Sequence, residues 1–198
     1  MPEIGKALKH LRQILSIEAG QKQLTESLRL SHLDILHFFL EEGCSPGAGD
    51  IPIDLTWLDT LQRLESVGLI VLEADQIMTA YPFSAIDRGF NVTPVYGQTQ
   101  AVCAFDALAV SSIFRVATRI DAICRLSNQA ITMEQEYETL ESAGTVFAAI
   151  DWSATDHSQS CSASPCTEML FIGSPDLAND WQSENSSQRQ LFKTVRSL

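Results

Sequence analysis

The chain has 198 residues, of which 45% are apolar and 19% charged, as in a globular protein with one sizeable domain or two small ones. Its net charge of −12, spread over both halves, disfavours contact with the phosphates of nucleic acid. No apolar run is long enough to span a membrane, and the N-terminus lacks the apolar core of a signal peptide. We therefore expect a cytoplasmic protein with no membrane partner.

The first 80 residues are predicted to form a helical module that ends in a β-hairpin. Apolar side chains recur every three to four residues in the first two segments, as on an amphipathic helix. A third helix begins near Trp57 and ends at Gly68, a residue type common at helix C-termini. The predicted elements are helices over 4–17, 24–42 and 57–67 and a hairpin over 69–81 with its turn at 74–76. This order is typical of a winged helix, which we assign to residues 1–80.

A winged helix suggests DNA binding, but the charges of the third helix disfavour it. That helix carries Asp59 and Glu65 against the single Arg63, and the hairpin adds Glu73 and Asp75. DNA phosphates would repel such a surface. We therefore expect the module to cover the second half of the chain, and we do not expect nucleic acid as a partner.

From Tyr81 onwards the sequence predicts a second domain, over residues 81–198, that contains short strands and one apolar helix. The segment around 104–117 has helical spacing and few charges, which indicates a largely buried helix. The other predicted elements are strands over 121–128, 129–136, 145–152 and 168–174, a helix that begins near 174 and a short helix at the end of the tail. The predicted fold class is α+β: an N-terminal winged-helix-like helical module packed on a small mixed β-sheet domain with flanking helices.

Five cysteines in a chain without a signal peptide indicate reduced thiols and no disulfide framework. Cys103 and Asp106 stand three residues apart where a strand meets the buried helix, so their side chains face the same way. By themselves they fit a small core residue and a helix cap. Cys166 follows a proline at the start of a strand. The remaining cysteines fit structural, incidental or loop positions: Cys124, Cys44 and Cys161.

Three features in chain order resemble the alkylmercury lyase family. The first is YPFSA followed by VCAFDALA, which contains Cys103 and Asp106. The second is Cys124, at the place of a cysteine that the family uses structurally, and the third is PCTEMLFIGSPDLANDW, which contains Cys166. Together they cover about residues 80–182.

The resemblance implies an enzyme that cleaves carbon–mercury bonds by protonolysis, releasing a hydrocarbon and Hg(II), in mercury detoxification. It implies that Cys103 and Cys166 are catalytic thiols that bind mercury, that Asp106 is the catalytic residue that transfers protons, and that no organic cofactor or permanent metal is required. The implied partners are organomercurial small molecules, Hg(II), and cellular thiols or a mercuric reductase that accepts the product.

Departures from the family pattern leave a second function open. Ala101 and Val102 stand where relatives usually have bulky aromatic residues, and Thr167 stands where relatives can have a second cysteine. The alternative is a non-enzymatic protein on a lyase-like fold, which binds soft metals or acts as a sensor or regulator. The sequence predicts neither the preferred organic group nor a part for Cys161 in the site.

Overall fold

The computed structural model describes residues 17–52, 56–95, 97–137, 139–142, 144–156, 161 and 163–194. The helices in these residues are α1 (Ile17–Gln21), α2 (Glu26–Glu42), α3 (Trp57–Ser66), α4 (Ala104–Phe114) and α5 (Pro175–Glu184), with 3-10 helices at Trp152–Ala154 and Pro165–Glu168. The strands are β1 (Ile70–Glu73), β2 (Gln76–Ala80), β3 (Phe83–Ser84), β4 (Phe90–Pro94), β5 (Thr99–Ala101), β6 (Thr118–Ile123), β7 (Ala130–Glu136), β8 (Thr139–Ser142), β9 (Phe147–Asp151), β10 (Met169–Ile172) and β11 (Arg189–Lys193).

The strands form two sheets. The larger sheet has eight strands in the order β1-β2-β3-β5-β4-β6-β7-β8, and the smaller has three in the order β10-β9-β11. The predicted α+β class is confirmed. Every pairing between the described strands is antiparallel, so two antiparallel sheets stand in place of the predicted mixed one. Short turns join many of the neighbouring strands, and such turns link only antiparallel neighbours.

The N-terminal elements form where capping residues and apolar spacing agree. Thr25 caps α2 by accepting the N–H of Leu28 at 3.4 Å, and Gly43 ends that helix in the left-handed region (φ 72°). The β1–β2 hairpin turns through Ala74 and Asp75, which both have positive φ (48° and 62°), as a tight two-residue hairpin requires. The predicted hairpin is thereby confirmed.

The β1–β2 hairpin continues into the eight-stranded sheet, because β2 pairs with β3. The chain on either side of residue 80 therefore contributes to one sheet. A winged-helix identity for residues 1–80 stays a prediction, as does the division into two domains. The helix predicted over 4–17 lies outside the described residues except for Ile17. No helix in the described ranges has the length and apolar character needed to cross a membrane.

Helix α4 lies between the two sheets. It packs against β4, β5, β6 and β7 of the larger sheet and against β9 and β10 of the smaller one. Its sequence, AFDALAVSSIF, has a single charged residue, in accord with a helix that packs against two sheets, although Ser112 and Ile113 near its end are exposed. It ends at Phe114, earlier than the predicted residue 117, because Arg115 adopts a left-handed conformation (φ 54°).

The sequence predicts a short helix at the end of the tail, but Arg189–Lys193 is a strand, so that prediction is wrong as far as Lys193. Residues 195–198 lie outside the described residues. This segment is β11, which pairs with β9 through Leu191 opposite Ala149. Nε of Arg189 donates to Oδ2 of Asp151 at 2.7 Å, 38 residues earlier in the chain. The partners that make this segment a strand are thus distant in sequence, and the local pattern does not contain them.

Candidate active site

Cys103 is the N-cap of α4. It follows β5 in an extended conformation (φ −155°, ψ 178°) and turns the chain into the helix. Its sulfur accepts the N–H of Asp106 at 3.4 Å, the bond by which an N-cap satisfies a free donor of the first turn. The cysteine is therefore the cap, and Asp106, the cap suggested by the sequence, lies three positions inside the helix.

Cys166 lies in the 3-10 helix before β10. Pro165 starts this helix with its fixed φ, and the Thr167 N–H donates to the Ser164 carbonyl oxygen at 3.0 Å. Arg125, just after β6, donates from Nη1 to the Thr167 carbonyl oxygen at 2.5 Å. The larger sheet thereby holds the turn that carries Cys166.

The structure brings Cys103, Asp106 and Cys166 together, although 60 residues separate Asp106 from Cys166. One ligand atom of each residue lies within 4.8 Å of those of the other two. Both thiols donate to the same oxygen, Oδ2 of Asp106, at 3.0 Å from Cys103 and 3.8 Å from Cys166. The convergence expected from the motifs is therefore present, while the chemical role of each residue stays a prediction.

Burial sets the protonation of this cluster. Desolvation raises the pKa of the Cys103 thiol to about 12. Asp106 is partly exposed, yet desolvation of its carboxyl group raises its pKa to about 6 against the opposing hydrogen bonds from the two thiols. Hydrogen bonds with Cys103 and Cys161, and then burial, raise the pKa of Cys166 well above its usual value. At neutral pH the resting site therefore holds two neutral thiols beside a carboxylate.

Met169 is a site residue that the sequence did not single out. Its Sδ atom lies 3.5 Å from Sγ of Cys103, and its side chain is buried at the start of β10. Its thioether is a soft, polarisable group beside the two thiols. The one signal for it in the sequence is its position three residues after Cys166.

A cavity of about 380 Å³ reaches Cys166 and Met169. Its size is that of a small-molecule site. Apolar side chains line much of it: Phe90, Val102, Ile123 and Leu170. Arg88 and Arg125 add positive charge, and no acidic residue is among the described residues that line it. The cavity therefore offers an apolar compound a route to the Cys166 thiol.

The other three cysteines, which are free thiols like the first two, occupy three different environments. Cys44 is exposed, and Cys124 is buried directly after β6. Cys161 is partly exposed, and its sulfur lies 3.0 Å from that of Cys166. Among the described histidines, His32 is buried within α2, where desolvation lowers its pKa to about 4. It is not part of the cluster of thiols and carboxylate.

The family model described as "MerB: Alkylmercury lyase" matches residues 83–196, more than half of the chain. The chain belongs to the alkylmercury lyase family. Cys103, Asp106 and Cys166 all lie inside the matched range. As a member of this family, the chain is an organomercurial lyase, an enzyme of mercury resistance that acts on carbon–mercury bonds.

This alkylmercury lyase has the fold of a solved structure, the crystal structure of the mercury-bound form of MerB2. The two share 18% sequence identity with a TM-score of 0.62, and the match covers 90% of each chain. A likeness at this identity establishes the fold alone. No curated protein matches the chain.

Proposed function

We propose that this alkylmercury lyase breaks the carbon–mercury bond by protonolysis, with Cys103 and Cys166 as mercury ligands and Asp106 as the proton carrier. The observation that carries the proposal is the shared carboxylate oxygen, which lies 3.0 Å from one thiol and 3.8 Å from the other. A single carboxylate can thus take a proton from a thiol and hold it beside the metal.

The two thiols suit mercury in both chemistry and spacing. Hg(II) is a soft ion that prefers sulfur to oxygen or nitrogen ligands. Two collinear bonds of about 2.3 Å, the length of a zinc–thiolate bond, span about 4.6 Å. The ligand atoms of the cluster lie within 4.8 Å of one another. Mercury can therefore reach both sulfurs with little movement of the protein.

The proposed reaction balances through Asp106. An organomercurial carried on a small thiolate exchanges that thiolate for the Cys103 sulfur, and the Cys103 proton leaves on the carrier thiol. Cys166 then binds the metal, and its proton passes to Asp106. Asp106 gives this proton to the carbon, which takes the electron pair of the breaking carbon–mercury bond. The products are a hydrocarbon and Hg(II) held by Cys103 and Cys166, while Asp106 is again a carboxylate.

The surroundings of the cluster support these steps. Sulfur donation from two thiolates weakens the bond between mercury and carbon, and the apolar cavity gives the organic group a place beside Cys166. The raised pKa of Asp106 makes its protonated form persist long enough to act as an acid near neutral pH. The scheme needs no organic cofactor and no resident metal ion.

We propose that the product Hg(II) leaves the cluster after cleavage. Hg(II) passes to cellular thiols or to a mercuric reductase, which regenerates the two thiols. The need for reduced cysteines favours the cytoplasm, where thiols are kept reduced. Residues 81–198 contain every group of the scheme, in keeping with a catalytic domain, and residues 1–80 are then its cover.

Phenylmercury tests the proposal directly. With excess small thiol, we expect the reduced protein to release benzene catalytically, measured in the headspace by gas chromatography. Each chain should also retain Hg(II) when the small thiol is removed, as read from the protein mass. Binding of one phenylmercury per chain without any benzene would contradict protonolysis and support the soft-metal sensor.

The pKa of Asp106 predicts the acid side of the pH profile. Within the cluster the carboxylate form of Asp106 accepts the thiol proton, and its pKa is about 6, so protonation below that value slows ligation by Cys166. We expect kcat/KM to rise with pH and level off above about pH 6, falling about tenfold for each pH unit below it. Benzene release measured from pH 4.5 to 8, in steps of about half a pH unit, tests this expected dependence. An unchanged rate down to pH 4.5 would exclude Asp106 as the base.

A further inference from the structure

Cys161 lies in contact with the proposed mercury site from outside. Its sulfur is 3.0 Å from that of Cys166, and the Cys166 N–H donates to the Cys161 carbonyl oxygen at 2.8 Å. That backbone bond closes a turn and fixes the two cysteines relative to each other. Cys166 therefore has two thiol neighbours. Cys103 lies within the cluster, which also contains Asp106, and Cys161 lies outside the cluster.

The exposed fraction of the three thiols decreases in the order Cys161, Cys166, Cys103. Cys161 is partly exposed, whereas Cys166 and Cys103 are 4% and 1% exposed. Hg(II) held by the two buried sulfurs is thus less accessible to thiols in solution than Hg(II) bound to Cys161 would be. Mercury moves between thiolates when an incoming sulfur binds before an outgoing one leaves, so an external thiol needs direct access to the metal. The buried pair gives little such access.

We propose that Cys161 is a relay ligand that carries product Hg(II) from the buried pair to external thiols. The inference rests on the proposed function, in which Cys103 and Cys166 hold the product. The Cys161 sulfur loses its proton to solvent and binds the metal, while Cys166 keeps its bond. The bond from mercury to Cys103 then breaks, and the Cys103 sulfur takes up one proton through Asp106, 3.0 Å away.

Two external thiols complete the transfer. Their sulfurs bind Hg(II) on the partly exposed Cys161 side, their two protons pass to Cys161 and Cys166, and a neutral mercury dithiolate leaves. No electrons are gained or lost, and the number of sulfur–mercury bonds is two before and after. The described residues that line the cavity include Cys166 but not Cys161. In this scheme the organic substrate reaches Cys166 from the cavity, and the product metal leaves it on the Cys161 side.

The test uses Hg(II) itself, so it does not depend on carbon–mercury cleavage. Reduced protein under nitrogen is loaded with one Hg(II) per chain and mixed with about 0.1 mM glutathione. A tethered thiol acts at an effective concentration of about 1 mM or more, so we expect Cys161→Ser and Cys161→Ala to lose Hg(II) at least about tenfold more slowly than wild type. Quenched samples give the fraction of metal-bearing protein by mass. Cys44→Ser, which removes an exposed thiol elsewhere, should match the wild type.

The first binding of Hg(II) separates a relay from a structural role. A relay predicts that folded Cys161→Ser and Cys161→Ala proteins take up one Hg(II) per chain like the wild type and differ from it in the rate of release alone. Equal release rates at about 0.1 mM glutathione would overturn the relay. Loss of Hg(II) binding by a folded Cys161→Ser protein would also overturn it, because Cys161 would then be a primary ligand. Failure of the proposed function is seen separately, as absence of benzene from the wild type.

Discussion

Replacing Asp106 with asparagine is expected to separate binding from cleavage. The amide keeps the shape of the side chain and still accepts hydrogen bonds from the two thiols, but it cannot carry the proton. Phenylmercury should therefore still bind, one per chain by protein mass. Benzene release should fall by roughly 10²–10⁴, the usual contribution of a positioned general acid.

A matched control is available in α5, whose first turn contains the exposed Asp176. Asp176→Asn makes the same chemical change in the first turn of another helix, and it should leave turnover unchanged. Wild-type turnover by Asp106→Asn would mean that another group delivers the proton. Loss of both binding and turnover in a folded Asp106→Asn protein would contradict the separation of roles.

Replacing either buried thiol is expected to abolish both steps. A serine hydroxyl is a hard, weak ligand for mercury, so Cys103→Ser and Cys166→Ser should lose tight phenylmercury binding. Benzene release should fall by at least about 10³, as when a group essential to a catalytic unit is removed. Mass shift and headspace benzene, measured on the same samples, give both quantities.

The control for the thiols is Cys44→Ser, because this exposed cysteine lies outside the cluster. We expect it to bind and turn over like the wild type. Loss of turnover in folded Cys44→Ser protein would show that the site has been placed wrongly. Tight binding that survives in both Cys103→Ser and Cys166→Ser would contradict a two-thiol site.

The parts of the site that depend on local sequence could be predicted. Cys103 and Asp106 share one helix start, so their proximity follows from a spacing of three residues. The apolar sequence of α4 likewise indicates a helix that packs against protein on more than one side. Cys166 joined them only through the resemblance of two separate segments, because no local pattern predicts a contact across 60 residues.

The features that sequence analysis missed depend on contacts made by the folded chain. β11 is a strand because β9 supplies its hydrogen bonds, and Arg189 is held by Asp151 across 38 residues. Met169 reaches Cys103 only when β10 packs against α4. The capping role of Cys103 was missed for a different reason. Aspartate is a much commoner cap than cysteine, and propensity therefore pointed to Asp106.

At position 103, the residue types that cap a helix best differ from the residue type that the chemistry requires. Serine, threonine, aspartate and asparagine are the preferred caps, and replacing one of them by alanine typically costs about 0.5–2 kcal/mol. Drift or redesign that selects only for folding free energy would therefore favour Cys103→Ser, which the chemistry does not tolerate. A thermostabilised form of this protein would have to be selected with position 103 held constant, and its gains sought in helices that do not carry a reacting sulfur.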